Sequence, residues 1–401
     1  MAESLPIKFE EHMQLPALGI NQACISFNNL TFESDKFICV RDTTGPQGQV
    51  VVVDLGDSSN LMRRNITADS AIMNPVSRII ALKAGRQLQV FNLELKAKVK
   101  GHVMNEDVVY WHWYSQFDLA IVTDTAVYHW SIEGAAGPVK VFDRLSQLAG
   151  HQIISYRVNA AANWMVLIGI TMVDGRVVGN MQLFNKARGA SQHIQGHAAA
   201  FAEVTLEGAS QPTSLFAFSV RTETAARLHV VEIDHKEGNP AYPKKAVEIF
   251  FPPEAVNDFP VAMQVGKRYG IAYVVTKYGF IHLFDLETGV CVFSNRISGD
   301  TIFVTAEHES TSGILSINRK GQVLSVAIND DAIVPYILQT INNVELAFKL
   351  AARANLPGAD DLYLRRFQQL MATSNYSEAA RVAATAPQGI LRTPQTIEAF
   401  K

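Results

Sequence analysis

The chain has no apolar run that approaches the ~18 uninterrupted residues of a bilayer-crossing helix, so no membrane span is expected. Cysteine is scarce: Cys24, Cys39 and Cys291 are odd in number, lie in apolar strand-like surroundings and lack metal-ligand spacing. That excludes a disulfide framework or a zinc module, and the three read as reduced core residues. An excess of either charge is missing too. Lys and Arg total 35 against 38 Asp and Glu, a net charge of −3 that gives no bulk attraction to nucleic acid or anionic lipid. Any electrostatic partner must therefore be read from a local patch. The start, Met1-Ala2-Glu3-Ser4-Leu5-Pro6-Ile7-Lys8, has no basic segment followed by an apolar core, so no secretory signal is read there and a cytoplasmic location is expected.

Catalytic signatures are absent as well. Gly-x-Ser-x-Gly, His-Glu-x-x-His, a phosphate loop ending in Gly-Lys-Ser/Thr and Cys-x-x-Cys do not occur. The 11 histidines are scattered, and His129, His229 and His282 fall in strand positions, where they read as blade-facing or surface residues. Asp360-Asp361 is a carboxylate pair beside Gly358, explained by the favourable negative charge at a helix N-terminus. No catalytic residue, metal site or cofactor is assigned, although a channel could still assemble distant residues.

What the chain does have is repetition. Between Ser70 and Lys100 the apolar runs Ala71–Met73, Ile79–Leu82, Leu88–Asn92 and Leu95–Val99 are separated by turn formers at Asn74-Pro75 and Ala84-Gly85, which predicts a four-stranded antiparallel meander. One such sheet cannot bury both faces and must stack on others. The phrase of its third strand, a small residue and then alternating large apolar positions, recurs from Gly48, Gly85, Thr125, Gly179, Ala226, Gly279 and Gly321. A spacing of about 40–50 residues is the blade period of a β-propeller. The expected fold is therefore an all-β seven-bladed propeller over residues 1–330, with blades near 22–68, 69–106, 107–150, 151–197, 198–256, 257–299 and 300–330.

The last repeat holds only three convincing strands, so the segment Ile7–Leu15 is expected to supply its fourth and close the ring. Asp234–Tyr242, rich in Gly, Asn and Pro, reads as an exposed loop. At about Asp330 the period changes to helical spacing, with helices expected near 333–338, 344–353, 359–372 and 375–386 and a further start at Pro394. Short helices with alanine on their contact faces predict the beginning of an α-solenoid over 331–401, and hence the front of a longer polypeptide.

Several stretches carry a specific likeness: Leu5-Pro-Ile-Lys-Phe-Glu-Glu-His, Glu33-Ser-Asp-Lys-Phe-Ile-Cys, Ala68-Asp-Ser-Ala-Ile-Met-Asn-Pro, Asn257-Asp-Phe-Pro-Val-Ala-Met-Gln, Arg319-Lys-Gly-Gln-Val-Leu-Ser-Val and Asn375-Tyr-Ser-Glu-Ala-Ala. On these the chain resembles the N-terminal propeller and first linker of the clathrin heavy chain family. The resemblance implies a non-enzymatic coat protein on the cytosolic face of coated pits and vesicles, whose propeller binds short linear motifs of endocytic adaptor and accessory proteins. Light-chain binding and self-trimerisation would belong to regions outside these residues. Neither nucleic acid nor direct membrane insertion is expected.

The resemblance implies three peptide sites. The first, between the first two blades, takes apolar residues interleaved with acidic ones and maps onto Arg64, Ile80, Gln87, Gln89, Phe91, Lys96 and Lys98. The residues alone are compatible: Ile80, Gln87, Gln89 and Phe91 alternate and can share one strand face or adjacent loops, and Arg64, Lys96, Lys98 and Lys100 form a positive cluster in a near-neutral chain. Without the resemblance, the lysine run reads as an edge strand charged against aggregation. The second site, a central depression, maps onto Phe27, Gln152, Ile154 and Ile170 and is expected to take a tryptophan-containing motif. The third, between the fourth and fifth blades, maps onto Trp164, Leu183, Arg188, Gln192 and Ile194. From the residues alone, Trp164 and Ile170 would be core and Arg188 and Gln192 plain surface. The rival readings are a propeller enzyme with a channel-mouth active site and a scaffold of another coat or tethering complex.

Overall fold

The strand Gln49–Asp54 buries all of Val50, Val51, Val52 and Val53. Val50 and Val52 pack in one apolar cluster and Val51 and Val53 in another, because alternate side chains leave a strand on opposite faces. A sheet whose middle strands are apolar on both sides needs a neighbour on each. The computed structural model describes residues 5–401; Met1–Ser4, which begin the stretch read as lacking a signal, lie outside the described residues. It meets that need with seven antiparallel four-stranded sheets. All seven recurring phrases are third strands of their sheets, from Gln49–Asp54 to Gln322–Ile328.

First strands of successive sheets touch one another, as Ala198–Val204 touches Pro260–Gly266 and that strand touches Ile302–His308. They therefore line the axis of a seven-bladed propeller. Strands alternate in direction, so first and third strands start at one rim, here the upper one. The strand Ile7–Gln14 pairs with Gln322–Ile328, and the seventh blade is thus built from both ends of the strand-bearing part of the chain.

Three local expectations are corrected. The fourth strand of the second blade begins at Ala97 and not at Leu95. The Asn92 side chain accepts the N–H groups of Glu94 and Leu95 at 3.0 and 2.9 Å, folding Leu93–Lys96 into a turn that leaves Leu95 76% exposed. Cys24 and Cys39 are buried, whereas Cys291 is exposed at the start of a blade's outermost strand. The loop from Asp234 is largely exposed, but Tyr242 at its end is buried and donates its hydroxyl to the Leu286 carbonyl.

Beyond Ile328 come Ile333–Tyr336, a wider turn at Ile337–Ile341, and the helices Val344–Ala354, Asp360–Ala372, Tyr376–Thr385 and Pro394–Glu398. Asn343, Asn375 and Thr393 cap three of them by accepting N–H groups of the first turn, and Asp360 and Asp361 sit where the helix dipole favours them. Leu346, Ala347, Leu350 and Ala351 join Ile271, Tyr273, Ile314 and Val326 of the last two blades in one cluster. The helices are thereby anchored on the lower side of the ring.

Burial also predicts acid sensitivity. His282 is 1% exposed, donates or accepts at Ser294 Oγ through Nδ1, and is held down at about 4 by desolvation. Burial, aided by the charge of Lys186, holds His129 at about 4 as well. A histidine whose folded pKa is depressed stabilises the fold fully above its unfolded value of ~6.5 and loses that contribution as pH falls towards 4. For His282 the loss at pH 5 is about 2 kcal/mol. Urea titrations at pH 7 and pH 5 should show this drop, with a smaller drop in His282→Gln.

Candidate functional site

Cross-strand register assembles the first groove. Ile80 lies opposite Phe91, Leu82 opposite Gln89 and Ala84 opposite Gln87, so all six share the face of the second blade that looks at the first. From the first blade, Val50, Val52, Met62 and Ile66 pack against that face. Above this floor the blades diverge, leaving a cavity of about 290 Å³ lined by Asn65, Ile66, Leu82, Gln87, Gln89 and Phe91. Ile80, 2% exposed, is the floor beneath Phe91 and not part of the open wall as its place among the contact residues suggested. Asn65, Ile66 and Leu82 went unnoticed in the sequence, although Leu82 could have been found as the residue one strand over from Gln89.

Cations border this seam. Lys98 is opposite Phe91, and its side chain lies across Gly101, where a methyl group would come within 2.8 Å of both Cε and Nζ. Gly101 is itself opposite Gln89, so the amine stands beside the Gln89–Phe91 wall. Lys96 occupies the preceding turn at φ 53. Arg64, opposite Val50 on the outermost strand of the first blade, borders an adjoining hollow of about 390 Å³ with Met62, Arg78, Leu93 and Glu94. Among the described residues the side chains of Arg64, Lys96 and Lys98 form no hydrogen bond or ion pair.

Lys100 does not belong to this cluster. Val90 pairs with Lys100 and Phe91 with Lys98, so Val99 is an extra residue, a bulge that sends the two lysines to opposite faces. Lys100 Nζ donates to the carbonyls of Ser131 and Glu133 at 2.8 and 3.3 Å and lies over Trp130 on the third blade.

The other expected residues lie mainly on one face of the fourth blade, towards the fifth. Val166 faces Leu183, which faces Gln192, and Met181 faces Ile194. Trp164, Ile154 and Ile194 are half-buried around a cluster that includes Ala199 and Phe216 of the fifth blade. Leu183 is 5% exposed and again a floor residue. Trp164 Nε1 is buried with no partner among the described residues. Arg188 and Gln192 are exposed. Gln152, opposite Ile170, stands at the upper rim. Phe27 precedes the inner strand of the first blade, so the residues expected at the depression are distributed over two blades around that rim.

Among the described residues no group of three or more His, Cys, Asp or Glu could hold a metal ion, and no helix is long and apolar enough to cross a membrane. Family descriptions match in three parts: "Clathrin propeller repeat" over residues 19–56, 252–287 and 295–329, "Clathrin, heavy-chain linker" over 330–353 and "Clathrin-H-link" over 355–401. The clathrin heavy chain of Drosophila melanogaster is 54% identical over 402 residues, covering 100% of this chain and 24% of that protein. The chain belongs to the clathrin heavy chain family. A probable clathrin heavy chain of Schizosaccharomyces pombe is 55% identical over 401 residues, and clathrin heavy chain 2 of Homo sapiens 54% over 402, each again covering 100% of this chain and 24% of the relative. The chain thus spans about a quarter of the length of the curated clathrin relatives it matches. The clathrin propeller repeats coincide with strands of the first, sixth and seventh blades, and the clathrin linker matches begin just past Ile328.

Proposed function

We propose that this chain is the adaptor-capturing end of a clathrin coat protein, a non-enzymatic propeller that holds short acidic–aliphatic segments of adaptor and accessory proteins between its first two blades. The observation that carries the reading is the pairing of an apolar hollow, lined by Leu82 and Phe91 over the buried Ile80, with the unpaired cations Arg64, Lys96 and Lys98 along its border. Aliphatic side chains of an extended ligand enter the hollow, carboxylates meet the lysines, and Gln87 and Gln89 bond to the ligand backbone. The seam between the fourth and fifth blades and the rim at Gln152 act as secondary sites. Each segment buries little surface and loses conformational freedom, so single affinities are low, while many propellers facing many motifs gain from effective concentration. The setting is the cytosolic face of coated pits and vesicles, with light-chain binding and trimerisation in other regions of the full-length protein.

The test is a titration of a labelled peptide of alternating leucine and aspartate against wild type and the Gln89→Ala/Phe91→Ala/Lys98→Glu triple variant. A loss of affinity of about tenfold or more is expected, since burial at Phe91 and one charge contact together exceed ~1.4 kcal/mol. Equal binding by both proteins would remove the first groove from the proposal. Because Lys96 and Lys98 are solvent-exposed, raising salt from 0.05 to 0.5 M should weaken the wild-type complex several-fold and the triple variant less, since Lys98→Glu removes one attraction and adds a repulsion while Arg64 and Lys96 remain.

A further inference from the structure

The seams of the ring differ in what fills them. On the side facing the fifth blade, the sixth blade repeats the second: Ala272 lies opposite Phe284 and Val274 opposite His282, as Ile80 lies opposite Phe91 and Leu82 opposite Gln89 in the first groove. The links that enter the two seams also start alike. The Ile66 N–H donates to the Gly48 carbonyl and the Ile249 N–H to the Ala226 carbonyl, each at 2.9 Å, so Ala68 and Phe251, two residues further on, hold corresponding places.

Ala68 is small and lines the hollow of about 290 Å³. Phe251 instead packs its ring on the cluster of the fifth seam, which includes Leu215, Leu228, Val274 and Phe284, and lies 5.9 Å from the His282 ring. The Arg221 guanidinium stands 4.3 Å from its ring centre, a cation–π contact. The neighbouring Phe250 is left 69% exposed. Two features hold Phe251 in the seam. Pro252 and Pro253 restrict the backbone at and after it to extended conformations, and Asp258 pins the far end of the link by accepting the Thr276 hydroxyl at 2.6 Å and the N–H groups of Tyr278 and Phe259 at 2.9 Å. Beside the ring, His282 Nε2 is buried with no partner among the described residues, at the position where the first groove offers Gln89.

We propose that Phe251 closes the seam between the fifth and sixth blades to linear motifs, as an internal occupant of the hollow that Ala68 leaves open in the first seam. The inference rests on the reading of the first groove as a motif site, and adds what decides which seams read ligands. Under its plug the fifth seam keeps what an acidic–aliphatic segment needs: an apolar floor at Val274 and Phe284, an unused ring nitrogen of His282 for a backbone N–H, and Arg221 for a carboxylate. A tethered occupant acts at an effective concentration that a weak free motif does not match, so the seam stays shut.

The same leucine–aspartate peptide tests this against the intact chain, with the Gln89→Ala/Phe91→Ala/Lys98→Glu triple variant as background. Adding Phe251→Ala to that background should tighten the weakened binding by about fivefold or more, and adding Arg221→Glu as well should remove the gain. The reciprocal change, Ala68→Phe in an otherwise wild-type chain, should weaken binding by about tenfold, because a ring then fills the first hollow. Cooperative thermal melts establish which variants are folded. No gain from a folded Phe251→Ala protein overturns the inference, while a loss of binding in the triple variant keeps the first-groove reading standing. If Phe251→Ala does not fold, Ala68→Phe decides: weakened binding supports the inference and unchanged binding overturns it. If wild type and triple variant bind equally, the first-groove reading falls, and only a gain from Phe251→Ala preserves the inference.

Discussion

Arg353→Ala is expected to destabilise the junction between propeller and helices by about 3–5 kcal/mol, the cost of stranding a buried charge. Arg353 Nη1 donates to Asp285 Oδ1 at 2.6 Å and to the Tyr269 carbonyl at 2.8 Å, and Nη2 pairs with Glu287. The three side chains are 6%, 0% and 9% exposed, so water cannot replace the guanidinium and salt screens the pairs little. Without it Asp285 loses its only cation among the described residues, while Glu287 keeps Lys349 Nζ at 3.4 Å and the Glu207 N–H at 3.0 Å, so the uncompensated charge falls mainly on Asp285. Asp285 keeps the Thr288 N–H and hydroxyl at 2.8 and 2.7 Å, which limits the loss without cancelling it. Urea unfolding should show the drop, and limited proteolysis should cut residues 331–343 much faster in the variant. Adding Asp285→Asn to Arg353→Ala should recover part of the loss. A drop below about 1 kcal/mol would mean that the apolar contacts of the helix Val344–Ala354 carry the junction unaided.

Gly279→Ala is the second large effect, about 3 kcal/mol. Gly279 has φ +87, and a Cβ there would lie 2.3 Å from the Ser298 carbonyl oxygen. That oxygen is backbone, fixed because Ile297 and Ser298 both donate to the Gly279 carbonyl at 2.8 and 3.2 Å. The variant combines the ~1–2 kcal/mol of a left-handed L-residue with the ~1–3 kcal/mol of an overpacked contact. Gly85 heads the same phrase in the second blade at φ +58 but has open space around it, so Gly85→Ala should cost only about 1 kcal/mol. Thermal melts of the two variants side by side separate the terms. Equal shifts would show that the Ser298 contact relaxes freely.

These glycines also show how far the sequence could be read. The phrase headed by a small residue was legible seven times because it is local, an alternation of side chains along one strand. The closing role of Ile7–Gln14 was legible for a similar reason, since a last repeat with three strands needs a fourth. The groove was only half legible. Gln87, Gln89 and Phe91 follow from alternation, but Ile80 and Leu183 are floors, a depth that depends on how close the neighbouring blade comes. The lysine run reads as one cluster until the bulge at Val99 divides it between two seams, and no pattern in Ala97–Val103 announces the bulge. Cys291 reads like its two buried counterparts, yet it stands on an outermost strand, where sheet order decides exposure. Arg353 showed no signal, because its partners Asp285 and Glu287 lie 66–68 residues away.

By itself the sequence determined the repeating unit, the number of its copies and the change to helices near residue 330, because period and turn chemistry act between residues a few positions apart. Tertiary structure alone decided where blades part to leave hollows, which lysines face them and which arginine holds the helices. Those outcomes depend on register, bulges and burial between strands far apart in the chain, and such contacts leave no periodic trace in either partner.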